Sequence, residues 1–297
     1  MVTSCGSKKE DTTVIADENV LDSISEKKII QDTLAVQSTD TIKNGTVEDI
    51  SNTPDNNQTV KVVTKADVGK NKTAEVTEKD EVADIDHSLW NTLLKKNVSS
   101  SGKVNYKGFS NDKLQLESYL DMLSHKIPDA SWSKNAKLAY WINVYNAFTV
   151  KLIIDNYPLK SIKNIANPWG KKFITLGGVN YSLEQVENDI LRKMNEPRIH
   201  FAINCASYSC PDLLNGAYFS NTMESQLTSV TKKFINDTSK NNLGINEIKV
   251  SEIFNWFSED FKVQDESIIN FINKYTTTQI SDEAKVSFID YNWNLNE

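Results

Sequence analysis

Residues 198–211 carry the densest group of reactive side chains in the sequence. His200, Asn204, Cys205 and Cys210 lie within these fourteen positions, together with two serines. A thiolate, an imidazole beside it and a carboxylate or amide that orients the ring are the parts that cysteine hydrolases and acyl transferases require. We therefore predict thiol-dependent hydrolysis or acyl transfer on a peptide or an envelope polymer.

Cys205 is the predicted nucleophile and His200 its predicted base. Residues 199–204 predict a buried strand, and Cys205 follows the end of that strand, where its side chain can face a cleft. On one extended strand the two side chains would point to opposite faces, so they meet only if the strand bends or ends between them. Cys210 is the rival nucleophile, because Pro211 predicts a short helix whose N-terminus would lower the pKa of the thiol.

Further side chains are candidates for supporting roles in this chemistry. The residues predicted to orient the His200 ring are Glu187, Asn204 or Asp290. Asn143 and Asn146 would donate hydrogen bonds to an oxyanion. Both also form one polar stripe on an otherwise apolar predicted helix, and buried amides need partners, so a structural role is the favoured interpretation for them.

Three other interpretations of the two cysteines stay open. In an oxidising compartment they would form a Cys205–Cys210 disulfide that closes a small loop. With His200 they would bind zinc, although four intervening residues on each side match no common zinc spacing. They would otherwise pack as small apolar groups. The contrasting functional hypothesis is a module without chemistry that presents a binding or scaffolding groove on the cell envelope.

The elements that must position these residues are predicted from apolar periodicity and turn signals. Predicted helices lie near residues 89–94, 114–123, 135–156, 182–194, 222–236, 252–261 and 266–275. Predicted strands are a hairpin over 173–181 that turns at Gly177-Gly178, residues 199–204 and residues 286–293. This order predicts an α+β fold with a helix-rich N-terminal half packed on a small, mostly antiparallel sheet.

The first 89 residues lack the apolar side chains that a core needs. All 27 aromatic residues lie at or after Trp90, and residues 1–89 carry 10 basic and 18 acidic side chains. Such a segment buries too little surface to offset its chain entropy. We therefore predict a signal remnant over 1–5, a disordered acidic tether over 6–85 and a folded domain over 86–297.

The predicted domain gives no sign of a nucleic acid or nucleotide partner. Residues 90–297 hold 23 basic and 22 acidic side chains, so they are nearly neutral and present no basic face. Gly177-Gly178 is a turn signal only, and we predict no cofactor. The aromatic groups in residues 254–261 and 291–293 are predicted to belong to the core rather than to a ligand site.

Residues 1–5 resemble the end of a bacterial lipoprotein signal. Val2-Thr3-Ser4 precedes Cys5 as an aliphatic and two small residues, but the charged start and apolar stretch of a signal peptide are missing. No run of 18 or more apolar residues predicts a spanning helix, so membrane attachment would be covalent. We expect an acylated Cys5 that anchors the chain to a lipid bilayer of the bacterial envelope, at the outer membrane or surface rather than the inner membrane.

Several motifs of the folded part resemble one family, in the same order along the chain. They are Tyr140–Ala147, Tyr181–Leu183 with Glu187, His200–Pro211, Phe254–Phe257 with Asp260–Phe261, and Tyr291–Asn296. Together they are similar to the domain of unknown function 547 family of bacteria and plants, over nearly all of residues 86–297. Asn188 departs from the histidine that the family often has there, which removes one candidate base. The family supplies no reaction, and the predicted thiol chemistry leads us to expect a papain-like or transglutaminase-like architecture.

Overall fold

The computed structural model describes residues 84–297. The predicted anchor at Cys5 and the predicted tether up to residue 83 lie outside the described residues. The α-helices are α1 (Ser88–Asn97), α2 (Tyr106–Asn111), α3 (Lys113–His125), α4 (Lys134–Asp155), α5 (Leu183–Gln185), α6 (Met223–Ile235), α7 (Ile253–Trp256), α8 (Ser258–Asp265) and α9 (Ile268–Asn273). The strands are β1 (Ile174–Leu176), β2 (Val179–Tyr181), β3 (Asn242–Leu243), β4 (Glu247–Ser251) and β5 (Lys285–Ile289).

Helix α4 forms the centre of the domain. Ser133 caps its start, since the side-chain oxygen accepts a hydrogen bond from the backbone N–H of Ala136. The helix has 22 residues, and every residue over positions 138–150 is buried. A helix that is apolar on all sides is stable only when other elements surround it. Helices α2, α3 and α6 pack against α4 and supply much of that cover.

Two small sheets complete the fold. Strands β1 and β2 form an antiparallel hairpin, and both glycines of its turn have positive φ, as a two-residue hairpin turn requires. The second sheet has the order β3-β4-β5. Strand β3 pairs antiparallel with β4, and β4 pairs parallel with β5. The longest pairing, β4 with β5, is parallel. Helices α7 to α9 form the crossover connection that a parallel pair requires.

Several predicted elements differ from the structure. The helix predicted over 182–194 is α-helical only at Leu183–Gln185 and continues as a π-helix (Val186–Leu191) and a 3₁₀ helix (Arg192–Met194). The strand predicted over 199–204 is wrong: Pro197–Phe201 is a 3₁₀ helix, which begins where Pro197 fixes φ and the Glu196 side chain accepts from the Arg198 N–H. No helix follows Cys210 directly, since the next helical turn is Ser220–Thr222. The single helix predicted over 252–261 is two, separated at Phe257.

The predicted α+β class is confirmed. Helices α1 to α4 form the N-terminal half, and the strands lie further along the chain. Ile85 is already buried, so packing begins near the first described residue. None of the helices in residues 84–297 is long and apolar enough to cross a membrane.

Candidate functional site

One cavity of about 220 Å³ collects most of the residues that the sequence singled out. The segment that follows the 3₁₀ helix Pro197–Phe201, helix α7 and the chain after β5 all contribute to its wall. The lining side chains are Tyr145, Trp169, Glu187, His200, Ile203, Cys205, Cys210, Pro211, Ile253, Trp256, Phe257, Tyr291 and Trp293. The cavity is therefore mostly apolar and aromatic, with a small polar group at its wall.

Cys205 and Cys210 are joined by a disulfide, with their Cα atoms 6.3 Å apart. Neither sulfur is a free thiol in this state, so the nucleophile roles predicted for Cys205 and Cys210 would require the disulfide to be reduced first. No hydrogen bond joins His200 to Cys205 among the described residues, and the Nε2 atom of His200 bonds to Asp260 instead. Cys205 and Cys210 lie five positions apart and can bond because the chain turns back between them.

The loop between the cysteines is held by hydrogen bonds besides the disulfide. The Asn204 side chain accepts from the Ala206 N–H at 2.8 Å and donates to the Pro211 carbonyl at 2.7 Å. This bridge allows Ala206 to adopt a φ of 61°, which is uncommon for a residue with a side chain. Asn204 therefore organises the loop, and it does not orient His200 as predicted.

Asn146 and Asn143 hold two backbone segments against α4. The Asn146 amide donates to the Ala202 carbonyl at 2.9 Å, and its oxygen accepts from the Asn204 N–H at 2.8 Å. Asn143 makes the same pair of contacts with the N–H and carbonyl of Tyr218. Because these groups bond to backbone, the structure offers neither amide to an oxyanion.

His200 belongs to a chain of three charged or ionisable side chains. Its Nε2 atom lies 2.8 Å from Oδ2 of Asp260. Asp260 in turn accepts two hydrogen bonds from Arg192, at 2.6 and 2.8 Å. Asp260 therefore takes the orienting role that we predicted for Glu187 or Asp290.

The electrostatics of His200, Asp260 and Arg192 favour a neutral imidazole beside an ionised carboxylate. Burial lowers the pKa of His200. This effect outweighs the hydrogen bond that the ring donates to Asp260, which acts in the opposite direction. Burial also opposes ionisation of Asp260, but hydrogen bonds from His200 and Arg192 hold its pKa well below the usual range. The Nδ1 atom of His200 is buried and has no hydrogen-bond partner among the described residues. A neutral ring that donates from Nε2 to Asp260 leaves a lone pair on Nδ1.

Glu187 lies on a different part of the cavity wall, next to Tyr145. The Tyr145 hydroxyl donates to Oε2 of Glu187 at 3.2 Å. Burial raises the pKa of Glu187 to about 7, although the Tyr145 hydrogen bond and Arg192 act in the opposite direction. Glu187 is thus an acid that titrates near neutral pH inside an apolar cavity.

The aromatic wall is built largely from two segments that are distant in sequence. Trp256 packs against Trp293 and Tyr291 with ring centroids 5.8 and 4.8 Å apart, and Trp169 packs against Trp293 at 5.5 Å. The ammonium of Lys163 lies 3.9 Å above the Trp293 ring. Trp256 stays 45% exposed, so one face of this cluster is open to solvent.

The predicted core role of these aromatics holds only in part. Phe254 and Phe261 are fully buried in the core, whereas Trp256, Tyr291 and Trp293 line the cavity. The Tyr291 hydroxyl also reaches the disulfide, at 3.0 Å from the sulfur of Cys210 and 3.4 Å from that of Cys205.

Sequence reasoning missed Asp260, Arg192, Tyr145, Tyr291 and Trp169 as site residues. The only signal for Asp260 was its position beside Phe261 in a motif of the resembled family. Among residues 84–297, no group of three or more histidine, cysteine or acidic side chains is arranged to hold a metal ion.

Comparisons with known proteins find a family match over the middle of the domain. No curated protein and no solved structure matches the chain significantly. The matched segment contains α4, Glu187, His200 and the cysteine loop, whereas Asp260 and the aromatic residues from Trp256 onward lie beyond it. Residues 130–235 match the family described as "Protein of unknown function, DUF547", the family that the sequence motifs resemble.

Proposed function

We propose that this domain is a binding module whose cavity takes an uncharged apolar side chain of a peptide. The observation that carries this proposal is the aromatic cavity itself, with its sulfurs bonded to each other. Pockets for drug-sized ligands have volumes of about 300–1,000 Å³. At about 220 Å³, this cavity fits a smaller group, such as one aromatic or aliphatic side chain.

Two polar side chains of the wall, Glu187 and His200, already have partners within the protein. Tyr145 donates to Glu187, and His200 bonds to Asp260. A sugar needs many free donors and acceptors, and this wall offers few. An apolar side chain needs none, so the wall favours it.

A polar atom of the cavity wall would orient the ligand. The unpartnered Nδ1 of His200 is buried, so it would accept a hydrogen bond from a backbone N–H of the peptide once the Phe257 ring that stacks on it moves aside. Trp256, exposed at the rim, would cover the bound side chain and exclude water from it. Apolar burial thus supplies the affinity and His200 the orientation.

The test uses the full chain and N-acetyl-phenylalanine amide as the probe. Binding is followed by tryptophan fluorescence, because Trp169, Trp256 and Trp293 all line the cavity. We expect saturable binding that weakens about tenfold in Trp256→Ala, since aromatic anchors dominate binding energy. Leu114→Ala, which removes an exposed apolar side chain on α3, is the matched control and should bind like the parent.

The binding proposal fails if the probe does not saturate the parent, or if Trp256→Ala binds it unchanged. It also fails if an N-acetylglucosamine oligomer binds the cavity while the amino acid amide does not. Any of these three results would contradict an apolar side chain as the ligand of this cavity.

A thiol-dependent hydrolase or acyl transferase is the second candidate function. His200 favours it, because His200 lines the same cavity as Cys205 and is oriented by Asp260 through Nε2. Its Nδ1 atom has no partner among the described residues and would act as the base. Cys205 would be available only after the disulfide is reduced. Reduced protein should then release p-nitrophenol from p-nitrophenyl acetate, with the acetyl group left on Cys205. A reduced Cys205→Ala protein with the same rate would exclude this candidate.

We also propose that an acylated Cys5 anchors the chain in the cell envelope of a bacterium. The residues before Cys5 support this, as does the polar, acidic sequence that follows. The test is fractionation of cells that express the chain behind a lipoprotein signal peptide. Cys5→Ser should move the protein from the membrane to the soluble fraction, and an unchanged membrane fraction would contradict the anchor.

A further inference from the structure

We propose that the Cys205–Cys210 bond is an exchangeable disulfide that oxidises the thiols of a cysteine-containing peptide held in the cavity. The inference rests on the proposed peptide binding for its substrate class. Its starting point is the position of the disulfide in the wall of a ligand-sized cavity, which brings an incoming thiol to it.

The two sulfurs differ in access. Cys210 is only 5% exposed, whereas Cys205 is half-buried. A thiolate that enters the cavity therefore attacks Cys205 more easily, and Cys210 becomes the leaving group. The attacked atom and the leaving atom both matter for the rate of exchange.

The structure supplies two hydrogen-bond donors to that leaving group. The backbone N–H of Cys205 donates to the sulfur of Cys210 at 3.1 Å, and the Tyr291 hydroxyl donates to it at 3.0 Å. Burial raises the pKa of Tyr291, so this hydroxyl keeps its proton and remains a donor. Hydrogen bonds to an ionised acceptor are roughly twice as strong as neutral ones. Both contacts therefore strengthen as negative charge develops on Cys210.

The loop is also held by hydrogen bonds that do not involve the disulfide. Asn204 bridges Ala206 and Pro211, and the Cys210 N–H donates to the Ser207 carbonyl at 3.0 Å. The Tyr208 N–H donates to the Asn294 carbonyl at 2.7 Å. These bonds hold the two sulfurs together when the disulfide opens, so that the pair can close again.

The chemical step is a two-electron exchange with a peptide dithiol. The first peptide thiolate attacks Cys205, the bond to Cys210 breaks, and a mixed disulfide with Cys205 forms. The second peptide thiolate then attacks the peptide sulfur and releases Cys205. The peptide leaves as a disulfide, both cysteines become thiols, and the two peptide protons end on them. A second thiol oxidant, such as oxidised glutathione, restores the starting state.

The test measures how fast dithiothreitol reduces the disulfide in the full chain, by quenching with iodoacetamide and mass analysis. Tyr291→Phe removes one donor to the leaving sulfur and should slow reduction about tenfold. Tyr275→Phe, which removes the hydroxyl of a tyrosine that does not line the cavity, is the matched control and should react at the parent rate. Equal rates in the parent and Tyr291→Phe overturn the proposal.

Single-cysteine variants test the direction of attack. With oxidised glutathione, Cys205 in Cys210→Ser should form its mixed disulfide at least tenfold faster than Cys210 in Cys205→Ser. Equal or reversed rates overturn the assigned order. If reduction is fast while the phenylalanine amide does not bind, peptide binding fails and exchange stands. If the amide binds while millimolar glutathione leaves the disulfide intact, exchange fails and binding stands.

Discussion

Replacement of Glu187 by glutamine should change the pH dependence of stability in a defined direction. Burial raises the pKa of Glu187 from an ordinary 4.5 to about 7. Between these pH values the folded protein keeps a proton that the unfolded chain releases. Stability therefore falls as pH rises from about 4.5 to about 7, and the loss is complete above that range. Glutamine cannot titrate, so Glu187→Gln removes this loss.

The size of the effect follows from the shift. One pKa unit corresponds to about 1.4 kcal/mol. The raised pKa of Glu187 therefore changes the free energy of unfolding by at most about 3 kcal/mol. Because Glu187 is half-buried and water at the cavity screens part of its charge, we expect about 2 kcal/mol. The stability of Glu187→Gln relative to the parent should rise by that amount between about pH 4 and about pH 8.

Urea unfolding followed by tryptophan fluorescence measures this difference at each pH. The dependence of unfolding free energy on urea should be the same in both proteins, so the midpoints report stability. Glu184→Gln replaces an exposed carboxylate three residues away and is the control. Parallel pH profiles for the parent and Glu187→Gln would refute the assignment of a neutral carboxyl in the cavity.

Three further substitutions test other parts of the structure. Burial lowers the pKa of His87 to about 4, so stability should be lost as pH falls from about 6.5 to about 4, and His87→Gln should remove up to about 3 kcal/mol of that acid sensitivity in urea unfolding. Asp260→Asn leaves Arg192 and His200 without their carboxylate and should cost about 1–3 kcal/mol, whereas the exposed Glu259→Gln should be neutral in the same assay. Asn146→Ala leaves two buried backbone groups unpaired and should lower the unfolding free energy by about 2 kcal/mol at neutral pH; no loss would contradict its positioning role.

The helical part of the fold was predictable because its signals are local. The Ser133 cap, the apolar run and the proline after α4 fix that helix within one residue at each end. The Gly177-Gly178 turn and the Ser182–Gln185 capping box were predictable for the same reason. Each signal lies within a few residues of the element that it defines.

The segment around His200 was harder to predict because tertiary contacts decide its conformation. Its apolar residues pack in the core in a 3₁₀ helix as well as they would in a strand. Asn146, more than fifty positions away, then holds the backbone at Ala202 and Asn204. A pattern of period two cannot report such a contact.

The site was predictable only where its residues lie close together in the sequence. His200, Cys205, Cys210 and Glu187 were found, and all four line the cavity. Asp260 lies 60 positions from His200, and Tyr291 and the tryptophans read equally well as core residues. These aromatic residues belong to the site only because the fold places them at the cavity, and the sequence does not show which aromatic side chains will lie there.

The binding and exchange proposals both depend on Cys205 and Cys210 being joined by a disulfide in the native protein. Native full-length chain, prepared without reductant, is treated with iodoacetamide and digested with trypsin, and the peptide from Ile199 to Lys232 is weighed before and after reduction. We expect an unlabelled peptide that is two hydrogens lighter than the dithiol and that takes up two labels only after reduction. A label on Cys205 in the unreduced protein would contradict it, and would return the free thiol to the cavity.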